Sequence, residues 1–341
     1  MKIDLKELDA QETENWFREL GLEMYRARQI RQWLFKRLAG SYEEMTNLSK
    51  SLRALLEKNA PISHLQRIKT QVSSDGTEKH LFKLEDGHFV ESVLIPEKDH
   101  YTLCISSQAG CAMACRFCLT AKHGLKRNLT SAEIIDQVIK VKRSIGNPDR
   151  LTNIVFMGMG EPLANYEAVK KAVINLENAS GMNFSRRKIT LSTCGVVPYM
   201  KRLGDEVNIK LAISLNAPDD ETRNLLMPIN RKYPLNSLLR ACRAFPLPKG
   251  ERMTFEYILI KEINDSDEDA LKLAKLLSGL RSKINLIPLN PHRETHMSPP
   301  SMDRILRFQD ILLKRHFITI IRKSRGRDIL AACGQLSGEA F

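Results

Sequence analysis

The stretch Gly110-Cys111-Ala112-Met113-Ala114-Cys115-Arg116-Phe117-Cys118 places three thiols in one short loop, spaced C-x3-C-x2-C. Three thiolates are one short of a closed tetrahedral zinc or iron–sulfur site. A distant histidine could complete a zinc site. Structural zinc sites usually pair C-x2-C with a second such pair, however, and the chain has none. An iron–sulfur cubane held by three cysteines keeps one iron open, and an open iron can bind a substrate. From the triplet alone, a cluster, a zinc site and three free thiols all stay open.

The loop directly follows an apolar strand candidate at 102–106. Further strand candidates lie at 153–157, 188–192, 209–215, 254–260, 284–288 and 317–322. Helix candidates fill the gaps near 131–145, 166–178, 197–203, 235–245, 267–280 and 302–316, and Thr130 with Glu133 reads as a capping box before the first. Such alternation predicts an α/β fold with a parallel sheet. Six strand–helix units are too few for eight-fold closure, so a partial, open (βα)6 barrel is expected. Its C-terminal strand ends should carry the chemistry, and the cysteine loop sits at the first of them.

Upstream, two strand-like runs between Lys79 and Ile95 meet at Asp86-Gly87, a hairpin signal. Residues 12–60 read as helices, with Trp16, Leu20, Tyr25, Ile30, Trp33, Leu34 and Leu38 at roughly helical spacing. Arg26, Arg28, Arg31, Lys36 and Arg37 are interleaved with them and could grip phosphates. The domain reading is 1–60 basic and helical, 61–96 a β-hairpin extension, and 97–341 the barrel with a C-terminal segment.

The chain has 341 residues, 43% of them apolar, and a net charge of +13 from 53 Lys and Arg against 40 Asp and Glu. So basic a chain points to a polyanionic partner, most often nucleic acid. Aromatics are only 6%, so stacking platforms for single strands are sparse. No apolar run approaches the ~18 residues of a membrane helix. Acids stand in Met1–Glu7 where a signal peptide needs an apolar core, so a cytoplasmic protein without membrane contact is expected. Seven cysteines, an odd number, then favour metal or catalytic use over a disulfide framework.

After the second strand candidate comes Gly158-Met159-Gly160-Glu161-Pro162. Position 163 is Leu, so no dinucleotide fingerprint is present. The thiol spacing resembles the signature of radical S-adenosylmethionine (SAM) enzymes, and Gly160-Glu161-Pro162 is similar to their SAM-binding turn. The resemblance tightens with 104–111, 156–165, Pro228-Ile229-Asn230 and Ala331-Ala332-Cys333-Gly334-Gln335-Leu336. Together these resemble the RlmN/Cfr family of radical SAM RNA adenine methyltransferases over nearly the whole chain.

That resemblance implies a radical SAM barrel with a 4Fe-4S cluster on Cys111, Cys115 and Cys118 and SAM on the open iron. It implies SAM contacts at Gly160, Glu161, Ser192, Ser214, Leu215, Asn216 and Asn290; many relatives carry His where this chain has Asn216. Cys333 would be the methyl carrier and Cys104 the second catalytic cysteine, which frees the product and leaves a disulfide. Glu91 would take the proton from the adenine. The implied substrates are 23S rRNA and the tRNA adenosine 3′ of the anticodon, with a flavodoxin-like reductant and a monomeric enzyme. Glu161-Pro162, Ile287-Pro288-Leu289-Asn290 and Arg322-Lys323-Ser324-Arg325-Gly326 favour the carbon-2 branch over the carbon-8 branch. A zinc-containing RNA-binding protein without catalysis is the alternative from another class.

Among the basic stretches, 314–327 holds six Lys and Arg in fourteen residues with no acid and leads into Cys333. It reads as a phosphate track. Arg186-Arg187-Lys188 and Lys122, Lys126 and Arg127 are weaker candidates.

Overall fold

The computed structural model describes residues 3–338. Three helices come first: α1 (Ala10–Glu19), α2 (Met24–Arg31) and α3 (Lys50–Asn59). A capping box starts α1, with the Asp9 side chain accepting from Glu12 N–H and the Glu12 side chain accepting from Asp9 N–H. A π-helical turn, Gln32–Lys36, extends α2 and buries Trp33, Leu34 and Phe35. Phe17 and Ile30 complete the inward face, whereas Leu20 and Tyr25 are exposed. The helical spacing therefore overcounted the core by two residues.

A sheet of ten strands follows, in the order β1-β2-β3-β4-β7-β8-β9-β10-β11-β12. Its antiparallel wing is β1 (Gln66–Val72), β2 (Glu78–Lys83) and β3 (Phe89–Pro96). Next come β4 (Tyr101–Cys104), the small pair β5 (Gln108–Gly110) and β6 (Leu125–Asn128), β7 (Leu151–Phe156), β8 (Ile189–Thr193) and β9 (Lys210–Ser214). The last are β10 (Met253–Leu259), β11 (Ser282–Pro288) and β12 (Ile318–Ile321). β4 and β7 to β12 are mutually parallel. β3 joins β4 antiparallel.

The remaining helices are α4 (Leu119–Lys122), α5 (Ser131–Ser144), α6 (Tyr166–Glu177), α7 (Val197–Glu206), α8 (Asp220–Leu226), α9 (Leu235–Ala244), α10 (Asp267–Leu276) and α11 (Met302–Lys314). The result is six strand–helix units, a seventh parallel strand and an open sheet, the partial barrel expected from the alternation. Thr130 and Glu133 form their capping box at α5.

Several short elements escaped the sequence pattern: β5, α4 and β6 around the thiol loop, and also β1 and α8. β1 is an edge strand whose residues are mostly exposed, so it lacks the apolar alternation that reveals a strand. α8 is short and lies inside a loop of mixed polarity.

The N-terminal helices and the barrel share one continuous apolar core. Polar bolts fix the junction. Arg31 is 1% exposed and donates to Leu8 O (2.9 Å), Asn175 Oδ1 (2.7 Å) and Ser180 Oγ (3.1 Å). It is therefore an anchor into α6 and its following loop, not a phosphate contact as its place in a basic run had implied. Lys6 pairs with Asp136 of α5 at 2.9 Å, both buried, and Asp136 also accepts Leu65 N–H at 2.7 Å.

Candidate active site

The strand ends are knitted together around β4. Cys104 closes β4 between Val93 of β3 and Val155 of β7. Ser106 Oγ donates to Glu91 O at 2.6 Å and accepts Met159 N–H at 2.8 Å. Gln108 Oε1 accepts Glu161 N–H at 2.8 Å. The turn after β7 thus packs onto the loop after β4. A Cβ on Gly160, whose φ is +98°, would meet the Gln108 side chain at 2.6 Å, so this glycine serves chain-to-chain approach. Glu161 is buried, and its carboxylate accepts Leu163 N–H (3.0 Å) and Cys194 N–H (2.8 Å). Burial pushes that carboxyl up from the ordinary range while those N–H donors oppose the rise.

The thiol loop is held at its start, middle and end. Cys111 N–H donates to Gly124 O (3.0 Å), Arg116 N–H to Leu226 O (3.0 Å) and Leu119 N–H to Gly334 O (2.8 Å). Gly110 has φ +78°, and a Cβ there would collide with the Gly124 carbonyl oxygen, so only glycine fits. Cys115 and Cys118 pack with Phe117, Cys194, Leu226, Met227, Ile260 and Leu289 in a small apolar cluster. Burial pushes the Cys111 thiol up to about 12 and the Cys115 and Cys118 thiols upward too, and the Cys115 thiol is raised further by its two neighbours' charges. A bound cationic centre reverses this balance and deprotonates coordinating thiols. Among the described residues no three such side chains are drawn together into a ready-made metal site, but soft thiol donors on one loop, two of them in an apolar cluster, are the ligand type that an iron–sulfur cluster takes.

The residues expected at SAM lie along neighbouring strand ends. Ser192 of β8 and Ser214 of β9 face each other with hydroxyls 3.4 Å apart. Leu215 is fully buried. Asn216 has φ +59°, is 1% exposed, and commits its side chain to Ile258 N–H (2.8 Å) and the Met227 sulfur (3.2 Å). Asn290 is buried after β11. Its Nδ2 donates to Cys333 O at 3.1 Å, and its Oδ1 is buried with no partner among the described residues. An orphaned buried acceptor at a strand end is a fit for a ligand donor.

Cys333 is exposed, in a C-terminal segment strapped across the barrel mouth. Thr120 Oγ1 donates to Leu336 O (2.6 Å) and Gln335 Nε2 to Pro291 O (2.7 Å). The antiparallel wing holds the other side: Lys79 Nζ lies 3.3 Å from Leu330 O and 3.1 Å from Glu91 Oε1. Glu91 Oε2 accepts the N–H groups of Ser337 and Gly338. Glu91 and Lys79 are 1% and 3% exposed. The surrounding protein pushes the Cys333 thiol up, as does the Glu256 carboxylate, and Arg322 opposes them. Burial and the Cys333 charge raise the Cys104 thiol, so these two cysteines, far apart in sequence, are brought within electrostatic reach. Both are free thiols. The disulfide expected from the resemblance is thus absent; each thiol is separately housed, Cys104 at a strand end and Cys333 on the strap.

Of the basic stretches, Arg322, Lys323 and Arg327 are exposed beside the strap. Arg186 and Arg187 precede β8, at the opposite end of the barrel, and face Glu251. Arg127 is held by Asp86 and Glu133. Three buried polar residues of the site went unread in the sequence: Lys79, Glu256 and Arg223. Glu256 interrupts the apolar run of β10 and accepts from Asn285 Nδ2 at 2.9 Å. An acid inside a parallel-sheet strand was the available signal.

A partial parallel barrel with three thiols after its first strand and a Gly-Glu-Pro turn after its second defines a radical SAM enzyme. The Radical SAM superfamily model matches residues 105–274, and the model of the ribosomal RNA large subunit methyltransferase N-terminal domain matches residues 3–62. The dual-specificity RNA methyltransferase RlmN of Geobacter sulfurreducens is 55% identical over 99% of this chain and 92% of its own length. That of Geotalea uraniireducens is 52% identical over 99% and 97%. The crystal structure of a radical SAM methyltransferase from Sphaerobacter thermophilus superposes with a TM-score of 0.94 at 46% identity, covering 99% of this chain and all of that one. The chain belongs to the RlmN family.

Proposed function

We propose that this chain is a radical SAM methyltransferase acting on carbon 2 of an adenosine in 23S rRNA and on the adenosine 3′ of the anticodon in tRNA. The observation that carries the reading is the strap. It brings Cys333 over the barrel mouth, hydrogen-bonded to the thiol loop through Leu119 N–H to Gly334 O and to Asn290 through Cys333 O.

In this reading Cys111, Cys115 and Cys118 hold a 4Fe-4S cluster. Gly160, Glu161, Ser192, Ser214, Leu215, Asn216 and Asn290 form the SAM pocket, Asn216 through its backbone because its side chain is already engaged. When bound, the cluster and SAM supply reductive carbon–sulfur cleavage and hence a carbon radical. The remaining work belongs to the chain. The Cys333 thiol would lose its proton to solvent, and its sulfur lone pair would take the methyl of a sulfonium as that carbon–sulfur bond breaks and a neutral thioether leaves, giving S-methylcysteine. Such a carrier answers a chemical problem, since the amidine carbon of adenine is electrophilic and cannot itself attack a sulfonium. Glu91, a buried carboxylate beside the strap, receives the proton that leaves the adenine carbon. Cys104 acts on the RNA-bound carrier.

The helices of 1–60 serve as the RNA-binding accessory region, 61–96 as the wing that anchors the strap, and 97–341 as the catalytic core. A flavodoxin-like one-electron donor, a monomeric state and a cytoplasmic location complete the proposal; no helix among the described residues is long and apolar enough to cross a membrane. The test is anaerobic reconstitution with methyl-labelled SAM and both RNAs. Mass spectrometry should find label on adenine carbon 2 and on Cys333. Adenine methylation by Cys333→Ala would refute the carrier.

A further inference from the structure

Arg223 of α8 is 1% exposed and among the largest fully buried side chains. Its guanidinium donates to Cys194 O (2.7 Å), Asn230 Oδ1 (2.9 Å), Leu215 O (3.1 Å) and Ser214 O (3.3 Å). All four acceptors are neutral. A buried guanidinium ordinarily faces a carboxylate. Of the two acids of its own helix, Asp220 and Glu221, Asp220 instead spends Oδ1 on Asn230 Nδ2 (2.8 Å) and Leu235 N–H (2.9 Å). Four of its five N–H groups are hydrogen-bonded, and among the described residues no carboxylate is in contact with it; Asp220 acts on it only through space.

Its surroundings point to where that counter-charge belongs. Leu226 O, on the same helix, receives Arg116 N–H from the middle of the thiol loop at 3.0 Å. Leu226 and Met227 share one apolar cluster with Phe117, Cys115, Cys118 and Cys194. Across this medium of low polarity a charge acts strongly. The guanidinium reaches this cluster directly, through its 2.7 Å bond to Cys194 O. Glu161 faces the same thiols with the opposite sign, but its burial pushes it toward the neutral form.

We propose that Arg223 is the internal counter-charge of the cluster on Cys111, Cys115 and Cys118, a positioning residue that makes that cluster easier to reduce. The proposal rests on reading those thiols as cluster ligands. A cubane with three thiolates is an anion, and taking up an electron makes it more so. A fixed cation therefore stabilises the reduced form more than the oxidised one.

The experiment is a redox titration of the anaerobically reconstituted protein without SAM, followed by electron paramagnetic resonance, with iron counted per chain. The parent protein comes first: if it binds no cluster, the functional reading itself fails, whatever Arg223 does. Arg223→Met removes the charge, and Arg223→Gln removes it while keeping amide N–H donors for the neighbouring carbonyls. In each, the reduction equilibrium should fall by at least about tenfold, a shift of ~59 mV to more negative potential for a one-electron couple. Arg223→Lys should restore most of it. If an iron-replete neutralised variant keeps the parental potential, or Lys shifts it as far as Met, the proposal is wrong. Arg223→Gln decides the matter should Arg223→Met fail to fold.

Discussion

The backbone N–H of Ser337 donates to Oε2 of Glu91 at 2.8 Å, across 246 positions of sequence. One buried carboxylate thereby ties the wing strand β3 to the segment that carries Cys333. The Gly338 N–H joins the same oxygen at 3.0 Å, and Lys79 occupies the other oxygen. Glu91→Gln removes the charge that holds this arrangement. We expect hydrogen exchange at 335–338 to accelerate and RNA methylation to fall by about a hundredfold or more, the scale of a lost general base. Unchanged exchange at Ser337 would sink the anchoring role.

Although Cys333 is exposed, the surrounding protein and the Glu256 carboxylate hold its thiol above the ordinary value, against Arg322. Only the thiolate attacks electrophiles, so its reactivity must grow with pH. Peptide-resolved alkylation of Cys333 should climb about tenfold per pH unit from 7 to 9 without a plateau. Glu256→Gln withdraws a negative charge, lowers the thiol toward its ordinary value and speeds labelling at pH 8. A plateau below pH 9 in the parent protein would contradict the electrostatics described.

Gly110→Ala is the sharpest test of the thiol loop. The new Cβ would strike the Gly124 carbonyl at a backbone φ of +78°. The loop must shift to relieve it, carrying Cys111 with it. Iron bound per chain after reconstitution should drop well below the parental value while the far-ultraviolet circular dichroism stays unchanged.

Lys6 and Asp136 form a buried pair at the junction of the N-terminal helices and the barrel. Removing either partner strands the other charge, at a cost of about 3–5 kcal/mol. Asp136→Ala should shift urea unfolding accordingly. Lys6→Met together with Asp136→Leu should recover much of the loss. Additive losses in the double variant would show that the pair is not coupled.

Much of the fold was legible because its signals are local. Each parallel strand is an apolar run, each following helix has its own period, and the helices at Thr130 and Tyr166 begin where the residue pattern places them. β1 was hidden because an edge strand with exposed polar residues carries no pattern. Arg31 looked like a surface cation because charge alone does not reveal burial; the matching Asn175 lies 144 residues away.

The sequence alone determined the thiol triplet, the order of strands and helices and the family, because these rest on residue spacing within short segments. Tertiary structure decided which distant groups meet. Only folding brings Cys333 over the thiol loop, seats Glu91 under Ser337, and buries Arg223 among four neutral oxygens, Cys194 O among them. Such pairings depend on strand register and loop path, over as many as 246 positions for Glu91 and Ser337. Burial then sets their energetics, by removing the water that would otherwise screen each charge.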